Sequence, residues 1–245
     1  MRAHANHRSE LVSQLLFGET YKIIDSNKDW LQIQTSFDDY TGWIDKNQHH
    51  EISEAEYKLY DFDKCGVSLE MVSPVTSSTT SIPVVCGSNL PHYDGINFKI
   101  QKEKYIYNGQ AFQHDQARPF DLLEKIAYRF LNAPYLWGGR SPLGIDCSGF
   151  VQIVFKTLDI KLKRDAYLQA EYGNVVNFVQ EAQLGDLAFF HNADGKIIHV
   201  GIVLKDQQII HASGKVRIDT LDHYGIFNAE INKYSHQLKI IKRLN

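Results

Sequence analysis

A chain of 245 residues has room for one large domain or two to three small ones. Hydrophobic residues at 43% and charged residues at 22% are those of a globular protein, and a net charge of -3 gives no reason to expect nucleic acid or an anionic membrane as partner. No run of about 18 apolar residues occurs, so no helical membrane span is expected. Met1 to Glu10 hold no apolar segment of secretory type. The sequence as it stands is expected to act in the cytoplasm, with a trimmed leader as the alternative.

Residues 1–50 read as short strands: Leu11–Phe17, Tyr21–Ile24, the alternating Trp30–Gln34 and Gly42–Ile44. Close spacing of short strands points to a small barrel. Gly18-Glu19, then Trp30-Leu31-Gln32-Ile33, then Tyr40-Thr41-Gly42-Trp43-Ile44 resembles a bacterial SH3-type domain. Residues 51–118 open with a short helix near Ile52–Leu59 and continue as strands. Val72–Thr80 is rich in serine and threonine and could pass for a linker, but Ile82–Cys86 and Phe98–Gln101 show that order continues, as a second, diverged SH3-like barrel.

From Pro119 the pattern changes. Leu122, Leu123, Ile126, Ala127 and Phe130 form the apolar stripe of a helix over Asp121–Asn132. Phe150, Val151, Val154, Phe155 and Leu158 mark a second helix, and strand-like runs follow at 186–190, 197–204, 207–211 and 238–241. Helices first and strands after give an α+β domain over 119–245.

The chemistry concentrates around the second helix. Cys147 stands at its predicted start, after the glycines of Trp137-Gly138-Gly139. Unpaired N–H groups and the positive end of the helix dipole gather there and favour thiolate over thiol. Period-two alternation puts His199 with Ile197 and Gly201, opposite Ile198, Val200 and Ile202. A hairpin between the next two runs brings His211 to it, making His199 the candidate base and His211 the group that orients it. His49, His50, His191, His223 and His236 fall in polar stretches and read as surface residues. Cys65 and Cys86 read as buried thiols that would pair only in an oxidising compartment. No Cys-x-x-Cys or His-Glu-x-x-His occurs, so no metal is expected.

Asp146-Cys147-Ser148-Gly149-Phe150, then Gly185-Asp186-Leu187, His199-Val200-Gly201 and Ile210-His211-Ala212 closely resemble the NlpC-type cell-wall peptidases. The likeness covers about 119–245 and implies a papain-like core with Cys147 as nucleophile, His199 as base and His211 as the third residue. The N-terminal barrel and Pro134-Tyr135-Leu136-Trp137 narrow it to the γ-D-glutamyl-L-diamino-acid endopeptidase subgroup. That resemblance implies a murein-peptide substrate, L-Ala-γ-D-Glu-diamino acid with a free amine, cut without a cofactor. It implies further that Asp146, Glu10 and Tyr40 meet the amine, with Tyr135, Trp137 and Ser148 lining the pocket. Arg164-Asp165 fits the family pattern as an ion pair, while Ala166 stands where some members have serine. The alternatives are a secreted hydrolase of intact wall and a non-catalytic module that binds wall peptides.

Overall fold

A computed structural model describes residues 1–244. Strands β1 (Tyr21–Ser26), β2 (Trp30–Thr35) and β3 (Thr41–Asp45) form an antiparallel sheet in that order. Leu31 and Ile33 of β2 meet Ile44 of β3 in a small core against Met1, Leu15 and Tyr21. Leu11–Phe17, expected as a strand, makes one isolated bridge, Arg2 to Leu11, and is otherwise irregular. Its polar groups go to scattered partners: Val12 N–H donates to the Met1 carbonyl, Asn89 N–H to the Phe17 carbonyl, and Arg140 to the Gln14 side chain and carbonyl.

Helix α1 (Glu54–Leu59) starts at a capping box, in which Ser53 accepts from Glu56 N–H and the Glu56 carboxylate accepts from Ser53 N–H. Seven short strands follow: β4 (Cys65–Ser68), β5 (Val72–Thr76), β6 (Ser81–Val85), β7 (Asn89–Pro91), β8 (Asn97–Ile100), β9 (Glu103–Tyr107) and β10 (Ala111–Phe112). They form two sheets, β10-β4-β7 and β6-β5-β9-β8. Val75, Val84, Leu90, Tyr93, Phe98 and Tyr107 pack together in the core of this region. The serine- and threonine-rich run is therefore no linker: it is β5 and the turn to β6, where Ser77 Oγ accepts from Thr79 and Thr80 N–H. Cys65 and Cys86 are free and buried, and burial pushes each thiol up to about 12.

The remaining chain holds α2 (Leu122–Arg129), the hairpin β11 (Arg140–Ser141) and β12 (Gly144–Ile145), α3 (Cys147–Thr157), and the short α4 (Ala166–Gln169). The strands are β13 (Asn174–Val176), β14 (Leu187–His191), β15 (Ile197–Val203), β16 (Gln208–Ser213), β17 (Lys215–Leu221), β18 (Gly225–Asn228) and β19 (Lys233–Arg243). They run β13-β19-β14-β15-β16-β17-β18, and β18 pairs back onto β19, which closes the sheet into a barrel. One face carries Leu187, Phe189, Val200, Ile202, Ile210 and Ala212 against α3, whose every residue is buried, and α2. The other carries Ala188, Phe190, Val203, Ile209, Leu221 and Ile226 inside the barrel. No helix among the described residues is long and apolar enough to cross a membrane.

Candidate active site

Cys147 is the first residue of α3, and its N-cap is Asp146, whose carboxylate accepts from Gly149 N–H at 2.7 Å. The N–H groups of Val200 and Ser148 point at the sulfur and favour the thiolate, as does Arg164. Burial, then the charge of Asp146, outweigh them and push the thiol up to about 12. The helix start was expected to favour the thiolate; desolvation wins. The sulfur rests protonated and needs a base.

The base sits on β15, where the Val200 N–H that reaches the sulfur follows His199. His199 and His211 share the barrel-interior face, and Nε2 of His199 meets Nδ1 of His211 at 2.8 Å. Gly201 makes room for that approach, since a Cβ there would lie 2.7 Å from Ile209 and 2.9 Å from the Cβ of His211. Nε2 of His211 in turn meets Asp219 Oδ2 at 3.0 Å. Nδ1 of His199 is the ring nitrogen left for the thiol. No hydrogen bond joins it to the sulfur among the described residues, and such catalytic contacts commonly tighten only when substrate binds.

His236, expected at the surface, is half-buried and stacks on His199 with ring centroids 4.0 Å apart and planes at 19°. The closure of β18 onto β19 brings it there. His199, His211 and His236 are the one group of metal-ligand type among the described residues, with nitrogens within 4.8 Å. The parallel stack opposes metal binding: an ion in the plane of one ring lies outside the plane of the other.

All three imidazoles are held below the ordinary histidine pKa. Burial lowers His199 first, helped by His236 and His211; burial lowers His211 against the pull of Asp219; burial, then His211, takes His236 to about 4. On acidification the unfolded chain therefore takes up protons before the folded one. Stability is full above about pH 6.5 and falls as pH drops towards 4, by up to about 1.4 kcal/mol per pH unit for each imidazole kept neutral. Urea unfolding at pH 7, 6 and 5 measures this, and a flat profile would contradict it.

The substrate residues divide. The Asp146 carboxylate, expected to meet an amine, accepts from Gly138 N–H, Gly149 N–H and both Nη groups of Arg164. Those four bonds, with a longer one from the Ser148 hydroxyl at 3.4 Å, fill its lone-pair positions and leave none for a ligand. Ser148, expected to line the pocket, is buried and accepts from Arg164 Nη1 at 2.9 Å. The expected Arg164–Asp165 ion pair is replaced by this Arg164–Asp146 fork. Asp165 is half-buried instead, its pKa raised by burial despite Arg164, with the Tyr40 hydroxyl nearby. Burial, then Asp165, pushes Tyr40 up to about 12.

Glu10 is exposed and accepts from Trp137 Nε1 at 2.6 Å, so the segment before β1 lies across the loop before Cys147. Gly138 fixes that approach: its φ is +77°, and a Cβ there would lie 2.3 Å from the Leu11 carbonyl. Tyr135 is half-buried close to the sulfur; burial, then Cys147, pushes its hydroxyl up to about 12 and keeps it a donor. Asp165, Asp219 and His236 escaped the sequence reading. Asp165 was legible only as a member of the Arg164-Asp165 pair, and the other two carried no local signal.

A thiol on a helix start, against a barrel that lines up neutral imidazoles, can attack a carbonyl and return its proton to the departing amine. That fold and that chemistry are those of a papain-like cysteine peptidase. Two family profiles match, the NlpC/P60 family over residues 132–233 and the bacterial dipeptidyl-peptidase SH3 domain over residues 1–48. The chain belongs to the NlpC/P60 family. It is 29% identical to a γ-D-glutamyl-L-lysine dipeptidyl-peptidase of Bacillus subtilis over 82% of this chain and 71% of that protein. A probable endopeptidase of Haemophilus influenzae is 35% identical over 46% of this chain and 71% of its own length. The crystal structure of an NlpC/P60 family protein from Bacillus cereus superposes with a TM-score of 0.78 at 23% identity, covering 95% of this chain and 81% of that one.

Proposed function

We propose that the protein hydrolyses the bond between γ-D-Glu and a diamino acid in short peptidoglycan peptides whose L-Ala amine is free, and that it does so in the cytoplasm during recycling of wall peptides. The names of the Bacillus relatives favour the γ-D-glutamyl bond. The observation that supports the free-amine part is the contact between the first barrel region and the loop before Cys147. Residues of the first barrel region, Glu10 and Tyr40, lie against Trp137 and Asp165 of the catalytic domain. In this reading the contact stands against a long glycan-linked peptide, while a free ammonium finds the Glu10 and Asp165 carboxylates near it. Burial raises the Asp165 pKa, and an ammonium beside it supplies a charge that offsets the burial.

In the first step the Cys147 sulfur attacks the γ-glutamyl carbonyl carbon as its proton passes to Nδ1 of His199. The Cys147 N–H and the Tyr135 hydroxyl are the donors for the oxyanion. The C–N bond then breaks, and the imidazolium protonates the leaving amine. Water adds to the thioester, gives its proton to His199, and L-Ala-γ-D-Glu leaves as the thiol is restored.

N-acetylation of the L-Ala should lower kcat/KM by about 10- to 100-fold, the worth of a charged hydrogen bond. Asp165→Asn should weaken binding of the free peptide by a similar factor and leave the acetylated peptide unaffected. Equal rates on free and acetylated peptides would make the enzyme a general wall hydrolase.

A further inference from the structure

The hydrogen bonds behind His199 run to an acid that belongs to neither the sulfur nor the substrate pocket. Asp219 lies on β17 opposite Ile209 of β16, is buried, and accepts from His211 Nε2 at 3.0 Å. Arg217 donates from Nε to Asp219 Oδ2 at 2.7 Å and from Nη2 to Oδ1 at 3.0 Å, and it also donates to Glu230 at 3.0 Å. Paired with that guanidinium, the carboxylate is ionised and can only accept.

The protons along the chain are then fixed one after another. His211 must carry its hydrogen on Nε2 to donate to Asp219. A neutral imidazole has one N–H, so Nδ1 of His211 is bare. That bare nitrogen faces Nε2 of His199 at 2.8 Å, so His199 carries its hydrogen on Nε2. Nδ1 of His199 is left bare, which is the form that can take the thiol proton. We propose that Asp219 is a positioning residue for the peptidase reaction, setting the tautomer of His199 through His211. With the carboxylate gone, His211 is free to carry its proton on Nδ1 and donate to His199. The His199 proton then moves to Nδ1, the wrong nitrogen. Burial keeps both rings neutral, so the choice is between tautomers rather than between charges. Asp219 neither gains nor loses a proton during turnover; the proton travels only from sulfur to Nδ1 of His199 and on to the leaving amine.

This inference rests on the peptidase reading for its kinetics but has a readout that needs no substrate. In 15N NMR of histidine-labelled protein near neutral pH, His199 should show a bare Nδ1 and a protonated Nε2. Asp219→Asn should mix or invert that pattern. It should also lower kcat by about 10²-fold with KM changed less than about threefold, a smaller loss than follows when a carboxylate touching the base directly is removed. Asp219→Ser serves the same test if the asparagine variant folds poorly. Arg217→Gln, which leaves the His211–Asp219 bond in place, should keep the tautomer. An unchanged His199 tautomer in the Asp219 variants would overturn the proposal, whether activity stays or falls with melting temperature. A wild-type protein inert towards the tripeptide but showing the tautomer switch would instead remove the substrate reading and leave Asp219 its role.

Discussion

Cys147→Ala is expected to fold normally and to lose hydrolysis of L-Ala-γ-D-Glu-diaminopimelate by on the order of 10⁵-fold or more, as when the nucleophile is removed from other covalent hydrolases. The side chain is buried at the start of α3, and an alanine methyl fits where the sulfur was. The helix keeps its Asp146 cap, so the melting temperature should hardly move. What disappears is the thiol beside His199 that forms the thioester: the base is left with nothing to activate. The comparison to make is kcat with melting temperature for both proteins. Turnover within about tenfold of wild type would remove Cys147 from the mechanism.

The second large effect lies at the seam between the first barrel region and the catalytic domain. The Glu19 side chain is buried and accepts from Arg140 Nη1 and Nη2 at 2.8 and 2.9 Å, from Lys156 Nζ at 2.7 Å and from Leu16 N–H at 2.9 Å. Both cations are buried too. Burial pulls the Lys156 pKa below the ordinary lysine value even with the carboxylate beside it, so its charge depends on Glu19. Glu19→Gln keeps the shape and leaves two buried cations without a counter-charge, which should cost about 3–5 kcal/mol.

The same pair predicts a pH signature. Burial alone would raise the Glu19 pKa, but Arg140 and Lys156 outweigh it and hold the carboxyl at about 2, against 4.5 unfolded. Its contribution is therefore complete above about pH 4.5 and is lost as pH falls through 2. Urea unfolding should show a wide gap between wild type and Glu19→Gln at pH 7 that narrows on acidification below pH 4. A variant as stable as wild type at pH 7 would mean that the seam does not hold the domains together.

What was legible in the sequence was local. Cys147 could be placed on a helix start because glycines precede it and an apolar stripe follows. His199 and His211 could be placed on neighbouring strands by alternation and a short connection. The strands of the first barrel were readable from Trp30 to Ile44 for the same reason. What depends on distant partners was not. Asp146 looked available for an amine because nothing near it in sequence shows that Arg164, 18 residues later, occupies its carboxylate. The bond from Arg164 to the Ser148 hydroxyl was hidden for the same reason. Leu11–Phe17 has the composition of a strand, but its backbone groups bond to scattered partners, among them Asn89 N–H and Arg140, 126 residues from Gln14. His236 sits among polar residues on β19, and only closure of the barrel stacks it on His199. Asp219 lies in an ordinary alternating strand, and its meaning comes from the ring it faces.

The most direct test is to incubate the purified protein with L-Ala-γ-D-Glu-diaminopimelate and follow the products by mass spectrometry. The account predicts L-Ala-γ-D-Glu and free diaminopimelate, with a transient adduct of the dipeptide on Cys147. Release of L-Ala alone, or an intact tripeptide beside lysis of mature wall, would contradict it.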